Sequence, residues 1–298
     1  MNYYEEIKNK IINNEIYCKV KDYSKERNTV STYFEIGRLL TEAGGKYGDN
    51  IIEEYSKKLV VEVGKKYNSR TLRRIRQFYK KFNIENWSPL ATNLTWSHYT
   101  ELLSIKDKNK LLYYLTLATN NNLSRNELRN RIRSKEYERL SESAKEKLIS
   151  NKQPSIPDLV KNPILIKNTN KYTEISEKVL QQIILENIDS FMQELGSGFS
   201  YIGKEYPIKI GNKYNYIDLL LFNYEYNCFV VIELKVTKLM KEHIGQIEVY
   251  MNCVDRKLKR FNQDKTIGII ICKKDNEYII EYCSDKRIIS REFKYIVK

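Results

Sequence analysis

Three of the five prolines of this chain, Pro154, Pro157 and Pro163, fall within ten residues, and the hydrophobic period changes across them. Proline lacks an N–H and fixes φ, so the run SNKQPSIPDLVKNP carries neither a helical nor a strand pattern. Before it, apolar residues recur at helical spacing. After it, short apolar runs alternate with helical ones. With 298 residues, 41% of them hydrophobic, each half can bury its own core. The expectation is α+β overall: an all-α domain over 1–140, a linker or docking segment over 141–172, and a mixed-sheet α/β domain over 173–298.

In the first half, YFEIGRLLTEAGG reads as a helix stopped by Gly44 and Gly45, and IIEEYSKKLVVEVG as another ending near Gly64. Ser69 is positioned to cap RTLRRIRQFYKKF, whose Leu72, Ile75, Tyr79 and Phe82 follow helical spacing. Trp96–Ile105 and Lys110–Ala118 read as helices, with Trp96 and His98 as packing residues at a helix start. Ser124 and Glu127 form a capping box before LRNRIRSKEYERL.

In the second half, Glu177–Leu195 is an amphipathic helix closed by Gly196. SYIGKEYPIKI and YNYIDLLLFN are strands joined at Gly211–Asn212, and CFVVIELKV is a buried strand. A helix over Glu242–Phe261 follows. TIGIIICK and EYIIEYC complete the expected sheet as strands around a KDN turn.

The chemistry concentrates in IELK. Residues two apart on a strand share a face, so Glu233 and Lys235 point one way and Ile232 and Leu234 the other. A carboxylate and an ammonium at the end of an apolar strand are costly to bury without purpose. Asp218 is likewise embedded in YIDLLLF, and the short NYEYN connection lets antiparallel pairing bring it beside Glu233. Two such carboxylates repel unless a proton or a cation lies between them, and Mg²⁺ or Mn²⁺ with oxygen ligands would satisfy both. Asp218 and Glu233 are the expected ligands, with the Leu234 carbonyl as a third. Lys235 would then position the attacking water, or stabilise the transition state, of phosphodiester hydrolysis. The same spacing also fits a buried ion pair that only fixes register, and both readings stand on spacing alone. Gln246 and Tyr250 share a helical face; Gln246 either reaches the water or phosphate of this site or faces solvent. His243 has no evident orienting partner and reads as an exposed histidine.

The net charge of +14 favours a polyanionic partner, nucleic acid before a membrane surface. Part of it is compositional, since Lys, Asn, Ile and Tyr are all abundant. The positive charge is dense on two helices: Arg70, Arg73, Arg74, Lys80 and Lys81, with the polar Gln77 among them, on one, and Arg125, Arg129, Arg131, Arg133 and Arg139 on the other. Such faces either contact phosphates or are simply solvated. The five cysteines are odd in number and lack CxxC spacing, which points to reduced thiols rather than to disulfides or zinc. No apolar run reaches membrane-spanning length and the N-terminus is not signal-like, so a soluble cytoplasmic protein without a membrane partner is expected.

The stretch ELGSGFSYIGKEYPIKIGNKYNYIDLLLFNYEYNCFVVIELKV followed by GQIEVYMN resembles the C-terminal domain of the YhcG-type PD-(D/E)XK nuclease family. Asp218, Glu233, Lys235 and Gln246 fall on that family's motif positions, and Tyr250 on its aromatic. The likeness covers about residues 180–283 and implies a restriction-endonuclease-like fold and a catalytic role for those four residues. The family's first helix often adds a glutamate, and Gln181 stands at that position here, with Glu177 and Glu186 as nearby substitutes. VSTYFEIGRLL, SRTLRRIRQFY, LTWSHYTELLSI and YERL resemble the family's helical N-terminal module, regarded as helix-turn-helix-like, over about residues 30–140. The resemblance implies a Mg²⁺- or Mn²⁺-dependent deoxyribonuclease; with such a domain attached, the basic helix faces are read as contacting the nucleic acid through Arg70, Arg73, Arg74, Gln77, Lys81, Arg125 and Arg129. A homodimer would suit cutting of both strands. The alternatives are a degenerate nuclease fold that binds DNA or acts as a scaffold, and a ribonuclease using the same site.

Overall fold

The computed structural model describes residues 2–19, 25–48, 50–83, 93–150 and 152–296. The chain divides into two compact units, Met1–Tyr137 and Glu138–Lys298.

The first unit is helical: α1 (Tyr3–Lys19), α2 (Lys25–Tyr47), α3 (Ile51–Glu62), α4 (Ser69–Phe82), α5 (Trp96–Leu102), α6 (Lys108–Asn120) and α7 (Arg125–Arg133). Its core joins Ile36, Leu39 and Leu40 of α2 to Leu72, Ile75 and Phe78 of α4, with Tyr99 of α5 against Phe78 at 4.9 Å between ring centroids. Helices α2 and α4 cross at Gly37, where a Cβ would lie 2.7 Å from the Ile75 carbonyl oxygen, so only glycine permits this approach. Helix α2 runs through Gly44 and Gly45 rather than stopping there. The left-handed position is taken by Gly48 (φ +81°), whose N–H bonds Gly44 O at 3.0 Å. The cap of α4 is Asn68, not Ser69; its side chain accepts from Thr71 N at 3.1 Å. The capping box of Ser124 and Glu127 is present.

The second unit contains α8 (Glu142–Ile149), α9 (Ile156–Leu159), β1 (Ile164–Lys167), α10 (Glu177–Glu186), α11 (Ile188–Leu195), β2 (Phe199–Ile210), β3 (Lys213–Asn223), β4 (Cys228–Lys238), α12 (Lys241–Lys257), β5 (Asp264–Lys274), α13 (Glu277–Glu281) and β6 (Ile288–Ile296). The sheet order is β1-β6-β5-β4-β3-β2. Strands β2, β3 and β4 are antiparallel, while β4, β5, β6 and β1 run parallel. On one face Leu219, Leu221, Val230, Ile232, Leu234, Ile269 and Ile271 pack against α10 and α11. On the other, Leu220, Val231, Ile270 and Cys272 pack against α12. Burial on both faces explains the near-continuous apolar runs of β4 and β5.

Three readings of this half are corrected. The segment 141–172 is not without regular structure: it holds α8, α9 and β1, the last pairing in parallel with β6. EYIIEYC is helical at Glu277–Glu281, with Ile279 and Ile280 packed against the core on this face of the sheet and Tyr278 and Tyr282 facing solvent; the edge of the sheet is supplied by β6 and β1 instead. The helix expected over Glu177–Leu195 is broken at Asn187, which leaves helical geometry (φ −131°) and donates its side-chain amide to Lys167 O, Thr169 Oγ1 and Ile183 O. The five cysteines are free thiols, and no helix among the described residues is long and apolar enough to cross a membrane.

Candidate active site

Strand β4 lies between β3 and β5, so everything it carries starts in the middle of the sheet. Strand β3 pairs with it from Asn223↔Cys228 to Leu219↔Ile232, and the next positions are Asp218 and Glu233. There the backbone ladder gives way to side chains. Asp218 Oδ2 accepts from Leu234 N at 2.7 Å, taking a ladder hydrogen bond onto a carboxylate. Gln181 of α10, itself buried, donates its amide to Asp218 O at 3.0 Å, which satisfies the carbonyl freed by the parting strands. Asp218 is thus fixed at both its side chain and its backbone.

Glu233 is buried beside it. Its Oε1 accepts from Lys235 Nζ at 3.0 Å and from Gln246 Nε2 at 2.7 Å. The Gln246 amide also donates to Tyr250 Oη at 3.1 Å, so one turn of α12 holds that oxygen in place. The second oxygen, Oε2, is buried and has no hydrogen-bond partner. Lys235 Nζ lies 3.7 Å from Glu177 Oε2, at the exposed first turn of α10.

The electrostatics follow from this crowding. Burial and the neighbouring Asp218 charge push the Glu233 carboxyl up to about 7, although Lys235 pulls it down. Burial likewise raises Asp218, against the Leu234 N–H and Lys235 that stabilise its charge. Burial alone would lower Lys235, but Glu233, Glu177 and Asp218 outweigh it and keep the ammonium charged. Two raised carboxylates and one orphaned carboxylate oxygen describe a site short of positive charge. Among the described residues no three His, Cys, Asp or Glu side chains gather into a ready metal cage. An ion that keeps several waters needs only one or two carboxylates, and the Asp218–Glu233 pair with a free Glu233 Oε2 suits such an ion.

Asp218, Glu233, Lys235, Gln246, Tyr250 and Glu177 therefore come together. Glu186 does not: its carboxylate accepts from Asn170, Tyr172 and Gln182 at the far end of α10. His243 is buried rather than exposed; Nδ1 accepts from Met240 N at 3.2 Å and closes the start of α12. Its orienting partner is a backbone N–H, invisible in composition. Sequence reasoning missed two neighbours. One is Gln181 as a brace for the Asp218 backbone. The other is Glu205, across the β2–β3 hairpin from Asp218, whose charge contributes to raising it; counting back along the two arms from the Gly211–Asn212 turn is the signal that could have found it.

The basic residues of the first unit divide. Arg70 and Arg73 are exposed and Arg74 half-buried, with Arg73 also paired to Glu53 at 2.6 Å. Lys81 turns inward instead of facing out, whereas Gln77 stays exposed although its amide touches the same helix end. Lys81 Nζ donates to Leu103 O at 2.8 Å and also to Ile105 O, and Gln77 reaches Leu103 O at 3.5 Å. The carbonyls just past α5 have no helical partners, and a cation there suits the helix dipole. Arg125 and Arg129 of α7 converge on Glu101 at 2.9 and 2.7 Å. Arg139, grouped with these helices by sequence, belongs to the second unit, where it is buried and paired with Glu194.

Residues 157–295 match the family described as the YhcG PDDEXK nuclease domain, and residues 9–139 match the DUF1016 N-terminal domain. A curated protein of Escherichia coli (strain K12), "Putative nuclease YhcG", is 24% identical over 284 residues, covering 81% of this chain and 76% of that protein. Among solved structures, a repair endonuclease from Pyrococcus abyssi aligns with a TM-score of 0.29 and 21% identity over 43% of this chain and 49% of that one. A structure titled "EndoMS-dsDNA2 complex" aligns with a TM-score of 0.29 and 20% identity, over 43% and 48%. The chain spans about half the length of these solved structures.

Proposed function

We propose, from the premise that residues 157–295 belong to the YhcG PDDEXK nuclease family and residues 9–139 to the DUF1016 N-terminal family, that this protein is a divalent-metal-dependent endonuclease acting on DNA. The observation that carries the reading is the buried, unpartnered Glu233 Oε2 beside the Asp218 carboxylate. Asp218 and Glu233 would hold Mg²⁺ or Mn²⁺, with the Leu234 carbonyl and waters completing the set. Such an ion, when bound, supplies an acidified water and neutralises charge on the scissile phosphate.

The chain's own residues do the positioning. The Leu234 N–H ties Asp218 Oδ2, leaving Oδ1 for a ligand. Gln246, steadied by Tyr250, holds Glu233 Oε1, leaving Oε2. Lys235 keeps its ammonium proton at Nζ, where it orients the attacking water or meets charge growing on the phosphate. Glu177, exposed and near Lys235, keeps that ammonium from collapsing wholly onto Glu233. In the helical unit Arg70, Arg73 and Arg74 are the residues available for phosphate contact.

The test incubates the full chain with plasmid, linear duplex, single-stranded DNA and RNA, in Mg²⁺, Mn²⁺ or EDTA. Cleavage of DNA that needs the metal and disappears in Asp218→Asn is expected. Absence of cleavage on every substrate would overturn the enzyme reading, and cleavage of RNA alone would reassign the substrate.

A further inference from the structure

Between its turn and Asp218, strand β3 pairs with β2 and, among the described residues, no longer with β4. The two strands continue as a ribbon that ends at Gly211–Asn212. One face of that ribbon closes on the α12 layer through Ile208 and Ile217, with Tyr206 and Ile210 partly buried beside them. The other face is open. It carries Tyr214, 64% exposed, and Tyr216, 57% exposed. Register sets Lys209 opposite Tyr214 and Pro207 opposite Tyr216, and Lys209 Nζ lies 6.0 Å from the Tyr214 ring centroid. Tyr216 stands two residues before Asp218 on the same strand.

We propose that this face, Tyr214, Tyr216 and Lys209, is a stacking platform that holds an unpaired stretch of nucleic acid leading into the Asp218–Glu233 site. The inference rests on the nuclease reading above and deepens it by naming the form of the substrate.

Exposure alone would not carry this, because tyrosine is a good strand former and the chain has 24 of them. Three observations together do. The rings stand on the strand that carries a proposed catalytic carboxylate, with Tyr216 two residues before Asp218, so whatever lies on them lies close to the site. A lysine accompanies them, and Lys204 and Lys213 are exposed on the same ribbon, which suits a polyanion. The spacing also suits a base: Tyr214 and Tyr216 are two residues apart, about 6.8 Å along an antiparallel strand. That is roughly twice the 3.4 Å rise between stacked bases, room for one base between two rings. A duplex hides its base faces and would use only the lysines. An unpaired strand offers a π-face at every nucleotide, and aromatic side chains exploit it without regard to sequence.

The experiment measures binding in EDTA, where cleavage cannot interfere. Fluorescence anisotropy compares a labelled mixed-sequence single-stranded DNA 20-mer with the duplex of the same sequence, using the full chain. The double variant Tyr214→Ala/Tyr216→Ala should weaken single-strand binding roughly tenfold or more, with duplex affinity changed less than about twofold. Tyr214→Phe/Tyr216→Phe should keep single-strand affinity, because the ring and not the hydroxyl does the stacking. Unchanged single-strand affinity, or an equal loss on the duplex, would overturn the proposal. So would conversion of a dimer to a monomer by the alanine variant, which would make this face a contact between copies of the chain. Both rings are exposed, so circular dichroism should show both variants folded as wild type. The nuclease reading fails separately, by absence of cleavage in Mg²⁺ or Mn²⁺; selective single-strand loss in EDTA would then still support the platform.

Discussion

Asp158 and Glu233 are two carboxylates of the same structural unit, 5% and 2% exposed, and their surroundings treat them in opposite ways. Asp158 Oδ2 receives Lys147 Nζ at 2.6 Å, Ser155 Oγ at 2.5 Å and Ser155 N at 2.7 Å. Burial pushes this carboxyl up, but those partners overwhelm it and hold it far below the usual carboxylate range. Glu233 shares its one ammonium with Glu177, faces Asp218, and leaves an oxygen unpartnered, so it is driven up to about 7. One carboxylate completes a cap; the other keeps an oxygen without a partner. Burial does not separate a structural acid from a functional one, whereas the balance of partners does.

The sharpest way to break this contrast is activity. Asp218→Asn keeps an acceptor for Leu234 N, and Lys235→Met removes the ammonium while keeping a stem of similar length; each should cut cleavage about 100-fold or more while leaving the far-ultraviolet spectrum unchanged. Retained cleavage would remove that residue from the mechanism. Next comes stability. Asp158→Ala strands a half-buried lysine and two donors, and should cost about 3–5 kcal/mol in urea unfolding. Asp218→Asn should cost less than about 1 kcal/mol, because it also removes a repulsion. Equal costs would erase the distinction.

A smaller effect is expected from pH, and here the two acids differ in sign. Glu233 is raised above its ordinary 4.5, so its contribution to stability is complete below 4.5 and is lost as pH climbs through about 7. Asp158 is depressed, so its contribution is present above its ordinary 3.8 and is lost only on acidification. Metal-free protein should therefore lose roughly 1–3 kcal/mol from the site between pH 5 and 8, and Mn²⁺ should restore more at pH 8 than at pH 5.5. A thermal shift with Mn²⁺ that is the same at both values would contradict this. The smallest effect belongs to the helical unit. Arg73→Glu with Arg74→Glu should weaken DNA binding several-fold and flatten its salt dependence by about 1–2 in slope. The lost Arg73–Glu53 surface pair should itself cost less than about 1 kcal/mol. An unchanged salt slope would mark that face as merely solvated.

How much of this was legible in the chain depended on the range of the forces involved. The Ser124–Glu127 box, the β2–β3 hairpin and the shared face of Glu233 and Lys235 are set within a few residues, and all are present as read. The segment 141–172 looked unstructured because what orders it is distant or small: a four-residue strand whose partner β6 lies near the other end of the chain, and one capping box, Ser155 with Asp158, around Pro157. EYIIEYC alternates like a strand, and its packing on one side only, as a helix, is against a core assembled from distant strands and α12.

The sequence by itself determined the two halves, the central strand with its Glu-x-Lys, and an acid on the preceding strand close enough to meet it. Only the tertiary structure decided that β3 and β4 part at Asp218, that Gln181 braces the backbone there, and that Glu233 Oε2 is left without a partner. It likewise decided that Lys81 and Gln77 serve a helix end while Tyr214 and Tyr216 face out. The physical reason is common to all of these. Periodicity and capping act through the local backbone, whereas desolvation and unmet charge are properties of a position, created by elements that the sequence brings from far away.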